Sequence, residues 1–141
     1  MKNCRKCNFK SDLIIKEYSL WIAELSDSPT PIGWIYIILK RHIENFEDLT
    51  DEELIELKKI IKELKKMLIK SFNPDMFNVM QLGNTGKHLH FHLVPRYKKK
   101  VKFTGRDFSD PDFGKMLVDR YKPDNKEFLI KLRDYLKSNL K

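Results

Sequence analysis

The string Lys87-His88-Leu89-His90-Phe91-His92-Leu93-Val94-Pro95-Arg96 constrains this chain more than any other. Its polar and apolar residues alternate with the period of a β-strand, where successive side chains point to opposite faces. His88, His90 and His92 therefore share one face over roughly 13 Å of rise. Leu89, Phe91 and Leu93 share the other, and that face must be covered from water. The strand demands a layer of helix on one side and leaves three imidazoles on the other. The chain has only 4 histidines, so three in register is a costly arrangement to leave idle. The run is internal and interleaved with core residues, unlike a purification tag.

The helix that can cover such a face follows from Thr50-Asp51-Glu52-Glu53. This is a capping box, with Thr50 as N-cap and Glu53 at the third helical position. Leu54, Leu57, Ile60, Ile61, Leu64, Met67 and Leu68 then recur at helical spacing, and Asn73-Pro74 ends the helix near Phe72. Asp12 to Tyr18 and Leu20 to Leu25 read as short strands. Ser26 to Pro31 is loop chemistry, with two prolines that a central strand cannot hold. Gly33 to Leu39 is apolar on both faces and should be central.

Met76 to Leu82 is a further strand, joined to His88 through Arg96 by a tight turn at Gly83-Asn84-Thr85-Gly86. Beyond Tyr97 the sequence reads as a basic loop, then a short helix from Ser109-Asp110-Pro111. A second amphipathic helix runs from Lys126 to Leu140, with Phe128, Leu129, Leu132, Tyr135 and Leu136 inward. Strands before and after one long helix give an α+β class with a mostly antiparallel sheet. At 141 residues, with no repeat and no long linker, one domain is expected.

No run of apolar residues is long enough to span a membrane. Met1-Lys2-Asn3-Cys4 has no apolar stretch of the kind that opens a signal peptide, and two cysteines make no disulfide scaffold. A cytoplasmic address is the default expectation. The net charge of +8 favours anionic partners, either a phosphate-bearing small molecule or nucleic acid. Three aligned imidazoles suit either metal chelation or nucleophilic catalysis on phosphorus. A single straight strand spaces same-face residues by roughly 7 Å, which makes one ion shared by all three awkward. A neutral imidazole is a good nucleophile near pH 7.

His88-Leu89-His90-Phe91-His92-Leu93-Val94 resembles the signature of the histidine triad family of nucleotide hydrolases and transferases. Lys40-Arg41-His42-Ile43, Asp48-Leu49-Thr50, Gln81-Leu82-Gly83-Asn84 and Pro95-Arg96-Tyr97 resemble that family in the same order. The resemblance implies a five-stranded antiparallel sheet with a long helix, a homodimer, and a small nucleotide substrate. It implies His90 as nucleophile forming a covalent nucleotidyl-imidazole, with His88 and His92 flanking it. His92 would contact phosphate or leaving group, and Gln81 and Asn84 would bind phosphate oxygens. The sequence departs from many relatives in a short loop between Gly83 and His88, where Thr85 is the one candidate to assist a leaving group, and in Trp34, where many relatives have His. A nucleotide- or nucleic-acid-binding module that kept the fold is the competing class, less favoured because a binder needs no aligned nucleophile.

Cys4-x-x-Cys7 is open to three readings: a redox pair, half of a zinc site, or an unrelated pair of thiols. A redox pair normally opens a helix after a strand, and this one precedes every strand. Zinc takes four ligands, and His42 is the one histidine outside the triad. His42 and His88 are the obvious completions, an arrangement similar to galactose-1-phosphate uridylyltransferases and to several small histidine triad proteins. A structural zinc on Cys4, Cys7, His42 and His88 is the expectation.

Overall fold

The computed structural model describes residues 4–7 and 9–140, so Met1 to Asn3, read above for a leader, lie outside the described residues. The strands are β1 (Ile14–Glu17), β2 (Trp21–Leu25), β3 (Ile35–Leu39), β4 (Met76–Met80), β5 (His90–Arg96), β6 (Val101–Phe103) and β7 (Arg106–Phe108). The helices are α1 (Asp51–Phe72) and α2 (Lys126–Ser138). Strands β1 to β5 form one sheet in the order β1-β2-β3-β5-β4, every neighbouring pair antiparallel.

Strand β3 is central, as its apolar sequence predicts, and Ile35, Ile37, Ile38 and Leu39 are all buried. Its neighbour β5 pairs Tyr36 with His92 and Ile38 with His90. The other face of β5 puts Phe91 and Leu93 into the core with Trp21, Leu57, Ile60, Leu64 and Leu132. Both helices thus lie on the side away from the histidines, because that is the face where the sheet is apolar.

Helix α1 starts with both halves of the capping box: Glu53 N–H donates to Thr50 Oγ1 at 3.1 Å, and Thr50 N–H donates to Glu53 Oε2 at 3.0 Å. The same carboxylate accepts from Arg41 Nε at 2.8 Å and Nη2 at 3.0 Å. A helix cap therefore also tethers the segment that carries His42. At the far end, Asn73 takes the left-handed conformation with φ 47° and closes the last turn onto Ile69 O.

Three expectations fail. No helix begins at Ser109-Asp110-Pro111: residues 111–115 form turns, with Phe113 N–H on Asp110 O and Lys115 N–H on Asp112 O. The Asp110 side chain is instead committed to Arg96, through Oδ2 at 2.7 Å and Oδ1 at 3.2 Å, and so cannot cap a helix. The basic loop after Tyr97 is an ordered hairpin, β6–β7, packed through Phe103 and Phe108 against Phe128 of α2. The connection between β4 and β5 is also longer than a tight turn. It runs over residues 81–89, and His88 precedes the strand.

Candidate functional site

Residues around the N-terminal end of β5 build two adjoining centres that share His88. The first is a cluster in which Cys4 Sγ lies 3.2 Å from His88 Nδ1, Cys7 Sγ lies 3.2 Å from His42 Nδ1, and the two Nδ1 atoms lie 3.0 Å apart. All four candidate ligand atoms fall within 4.8 Å of one another. Tetrahedral zinc with ordinary bond lengths would set them roughly 3.3–3.8 Å apart, so the residues fit the ion. The His88 tautomer fits too. Its Nε2–H donates to Leu39 O at 2.6 Å, which leaves the Nδ1 lone pair toward the cysteines.

The backbone brings these groups together by local pairing. Leu89 N–H donates to Ile43 O at 2.8 Å and Leu39 N–H to Leu89 O at 3.3 Å, so the His42 segment lies directly against the approach to β5. Cys7 N–H closes a turn onto Cys4 O at 3.3 Å, which sets the two thiols side by side.

The second centre is an open cleft of about 800 Å³ beside the triad. His90 is its buried heart. Its Nδ1–H donates to His88 O at 2.8 Å, because a carbonyl can only accept. Nε2 then keeps its lone pair. Burial holds the His90 imidazole below its ordinary pKa, and the nearby charge of Lys6 pushes the same way. His92 is pushed down to about 4, first by burial and then by His90 and Lys6. Both rings are therefore neutral at pH 7, the form a nucleophile needs. Trp34 Nε1–H donates to His92 Nδ1 at 3.1 Å, which puts the His92 proton on Nε2 as a donor.

The sequence-predicted residues divide accordingly. His88, His90 and His92 line the cleft, and so do Cys4, His42 and Thr85. Gln81 lines a separate depression with Glu44, Asn45 and Gly83, and Lys87 lines both it and the cleft. Asn84 is exposed in the 81–89 connection. Sequence reasoning missed Lys6, Glu24, Trp34 and Tyr36 as site residues. Tyr36 was legible in principle, since a residue opposite His92 in register must face the same cleft. Glu24, one strand further along, has its carboxyl pushed up by burial.

A family profile described as the HIT domain matches residues 8–99. The chain belongs to the histidine triad family. This HIT chain is 36% identical over 112 residues to adenosine 5′-monophosphoramidase of Saccharomyces cerevisiae, covering 74% of this chain and 66% of that enzyme. Other curated relatives carry the names of a phosphoramidase, a bis(5′-nucleosyl)-tetraphosphatase and an AP-4-A phosphorylase. Against three of its curated relatives the chain spans 62%, 66% and 69% of their length. A histidine triad nucleotide-binding protein of Sulfolobus tokodaii shares the fold with TM-score 0.74 at 22% identity, over 96% of this chain and 91% of that one. A zinc-bound histidine triad protein of Mycobacterium smegmatis does so with TM-score 0.68 at 21% identity, over 97% and 95%. Among the described residues, no helix is long and apolar enough to cross a membrane.

Proposed function

We propose that this HIT protein is a nucleotidyl hydrolase or transferase that acts on a nucleoside phosphoramidate or a dinucleoside polyphosphate through His90. The observation that carries this is the bond from His90 Nδ1–H to His88 O, which leaves the Nε2 lone pair free at an open cleft. Nε2 attacks the α-phosphorus. The bond from phosphorus to the amine nitrogen or bridging oxygen breaks, and the leaving group departs with the electron pair and picks up a proton. Water then attacks phosphorus, the P–Nε2 bond breaks, and nucleoside monophosphate is released. His92, with its proton on Nε2, donates to a phosphate oxygen or the leaving group. Lys87 lines both this cleft and the depression that holds Gln81, so we assign Gln81 and Asn84 to the distal phosphates of a long substrate rather than to the phosphorus that His90 attacks. The names of the yeast phosphoramidase and of the tetraphosphatase and phosphorylase relatives support both substrate classes.

The test is mass spectrometry of enzyme quenched during turnover of a nucleoside phosphoramidate. A nucleotidyl adduct on His90 is expected. His90→Ala should form none and lose at least a thousandfold in turnover while melting normally; substantial turnover by His90→Ala rejects the mechanism.

Zinc is the ion proposed for Cys4, Cys7, His42 and His88. Two thiolates and two imidazoles at tetrahedral spacing suit it, and the zinc named for the M. smegmatis protein supports the choice. Four protein ligands leave no open position, so its role is to brace His88 and through it the strand that carries His90. The cytoplasm suits a pair of reduced thiols used as ligands.

A homodimer completes the proposal. Within one chain β3 is already buried, and α2 packs against α1 and β1. Exposed apolar side chains lie elsewhere, at Ile55 and Ile69 on α1 and at Met76 and Val79 on the edge strand β4. A two-fold partner is the commonest way to cover such surface. Light scattering at micromolar concentration should give twice the chain mass of 16.9 kDa.

A further inference from the structure

The two residues between the cysteines, Arg5 and Lys6, do not point into a core. Both line the cleft that holds His90 and His92, and Lys10 joins them. Lys6 comes nearest to the chemistry, and Gly86 shows how near. A Cβ built on Gly86 would lie 3.5 Å from Lys6 Nζ and 3.9 Å from His90 Cε1. The ammonium and the imidazole thus flank one small space above the Gly86 Cα. Gly86 has no positive φ, so its backbone does not require a glycine. What the missing side chain leaves is room between the two groups.

Lys6 makes no ion pair and no side-chain hydrogen bond among the described residues. Its ends are held, however. Cys4 and Cys7 close a turn on each other and lie against His42 and His88. The Lys6 backbone is therefore fixed relative to His88, whose carbonyl in turn orients His90. A long cation on a clamped four-residue turn, beside the His90 imidazole, is suited to hold an anion at the reacting position.

We propose that Lys6 is a phosphate-binding residue of the cleft, presented by the Cys4–Cys7 turn so that its ammonium contacts the phosphoryl group attacked by His90. The proposal rests on the nucleotidyl-transfer reading and adds a ligand that reading does not contain. It also gives the Cys4–Cys7 turn a role in substrate binding besides holding metal.

Calorimetric titration with adenosine 5′-monophosphate, and separately with adenosine, tests it. Loss of one charge-assisted contact should weaken monophosphate binding by Lys6→Met roughly 10- to 100-fold. Adenosine affinity should be unchanged, and the salt dependence of monophosphate binding should flatten. Lys6→Arg should recover most of the affinity, and all variants should melt with wild type. Equal monophosphate affinity in Lys6→Met and wild type overturns the proposal, as does equal loss of monophosphate and adenosine. If Lys6→Met does not fold, Lys6→Gln serves in its place under the same criteria. Failure of this idea is distinguishable from failure of the functional reading. A wild type that forms the His90 adduct while Lys6→Met binds normally rejects Lys6 alone, whereas a wild type that binds no nucleotide rejects both.

Discussion

The two ends of β5 are anchored by opposite means. At its C-terminal end, Arg96 is buried with Asp110 at side-chain exposures of 3% and 0%, and its third nitrogen donates to Asn78 Oδ1 at 2.6 Å. Tyr97 N–H adds a further donor to Asp110 at 3.1 Å. Every charge there meets its partner within the chain. At the N-terminal end, His88 faces two thiols and a second imidazole, four groups of the kind that gather around a metal ion. One anchor is complete once the chain folds. On the zinc reading proposed above, the other is completed by the ion. His90 stands between them, so its position depends on a permanent lock at one end and a conditional one at the other.

The largest effect on stability should come from the permanent lock. Asp110→Ala leaves a buried guanidinium unpaired and is expected to cost about 3–5 kcal/mol. Urea unfolding of the variant measures it, and the loss should be the same with and without chelator. A change below about 1 kcal/mol would erase the contrast between the ends.

Metal removal should come next. An ion present at a hundred times its dissociation constant stabilises by about 2.7 kcal/mol. Chelation, or Cys7→Ser, should therefore lower the melting temperature by roughly 10 °C. Elemental analysis should find about one zinc per chain in wild type and little in the variant. A melting curve indifferent to chelator, in protein shown to contain metal, would mean that both anchors are unconditional.

The smallest effect separates the middle of the strand from the end that meets Cys4, Cys7 and His42. His92 titrates at about 4 in the fold, against 6.5 for a free imidazole. Between those values the unfolded chain takes up a proton that the native protein does not. Stability therefore falls as pH drops from 6.5 to about 4, and this group adds no further loss below that. Urea midpoints at pH 7, 5.5 and 4.5, all in chelator so that metal release plays no part, should fall less steeply for His92→Gln than for wild type. Parallel curves would show that His92 is not buried as described.

A pattern of short-range signals made much of this molecule legible. Strict alternation from His88 to Leu93 specified which side chains face the core, because a strand offers only two faces. Thr50 and Glu53 fixed the start of α1, because the capping box is closed by residues three apart. Two cysteines three apart, the one histidine outside the triad and a resemblance to other histidine triad proteins were enough to expect Cys4, Cys7, His42 and His88 together. Where the expectations failed, the cause was a partner far along the chain. Ser109-Asp110-Pro111 reads as a helix start until Arg96, 14 residues before Asp110, claims the Asp110 carboxylate. The hairpin β6–β7 carries too few residues to show a period, and its packing on Phe128 makes it ordered.

Sequence alone determined that this chain has a helix-covered sheet with a line of imidazoles on its bare face. The periods of strand and helix are properties of neighbouring residues and survive in any linear reading. Only tertiary structure decided what surrounds those imidazoles. Trp34 reaches His92 because β3 pairs with β5 in one register. Lys6 reaches the space beside His90 because the Cys4–Cys7 turn folds back across residues more than 80 positions away. No local pattern encodes such approaches, since contacts between distant segments are chosen by the packing of the whole sheet.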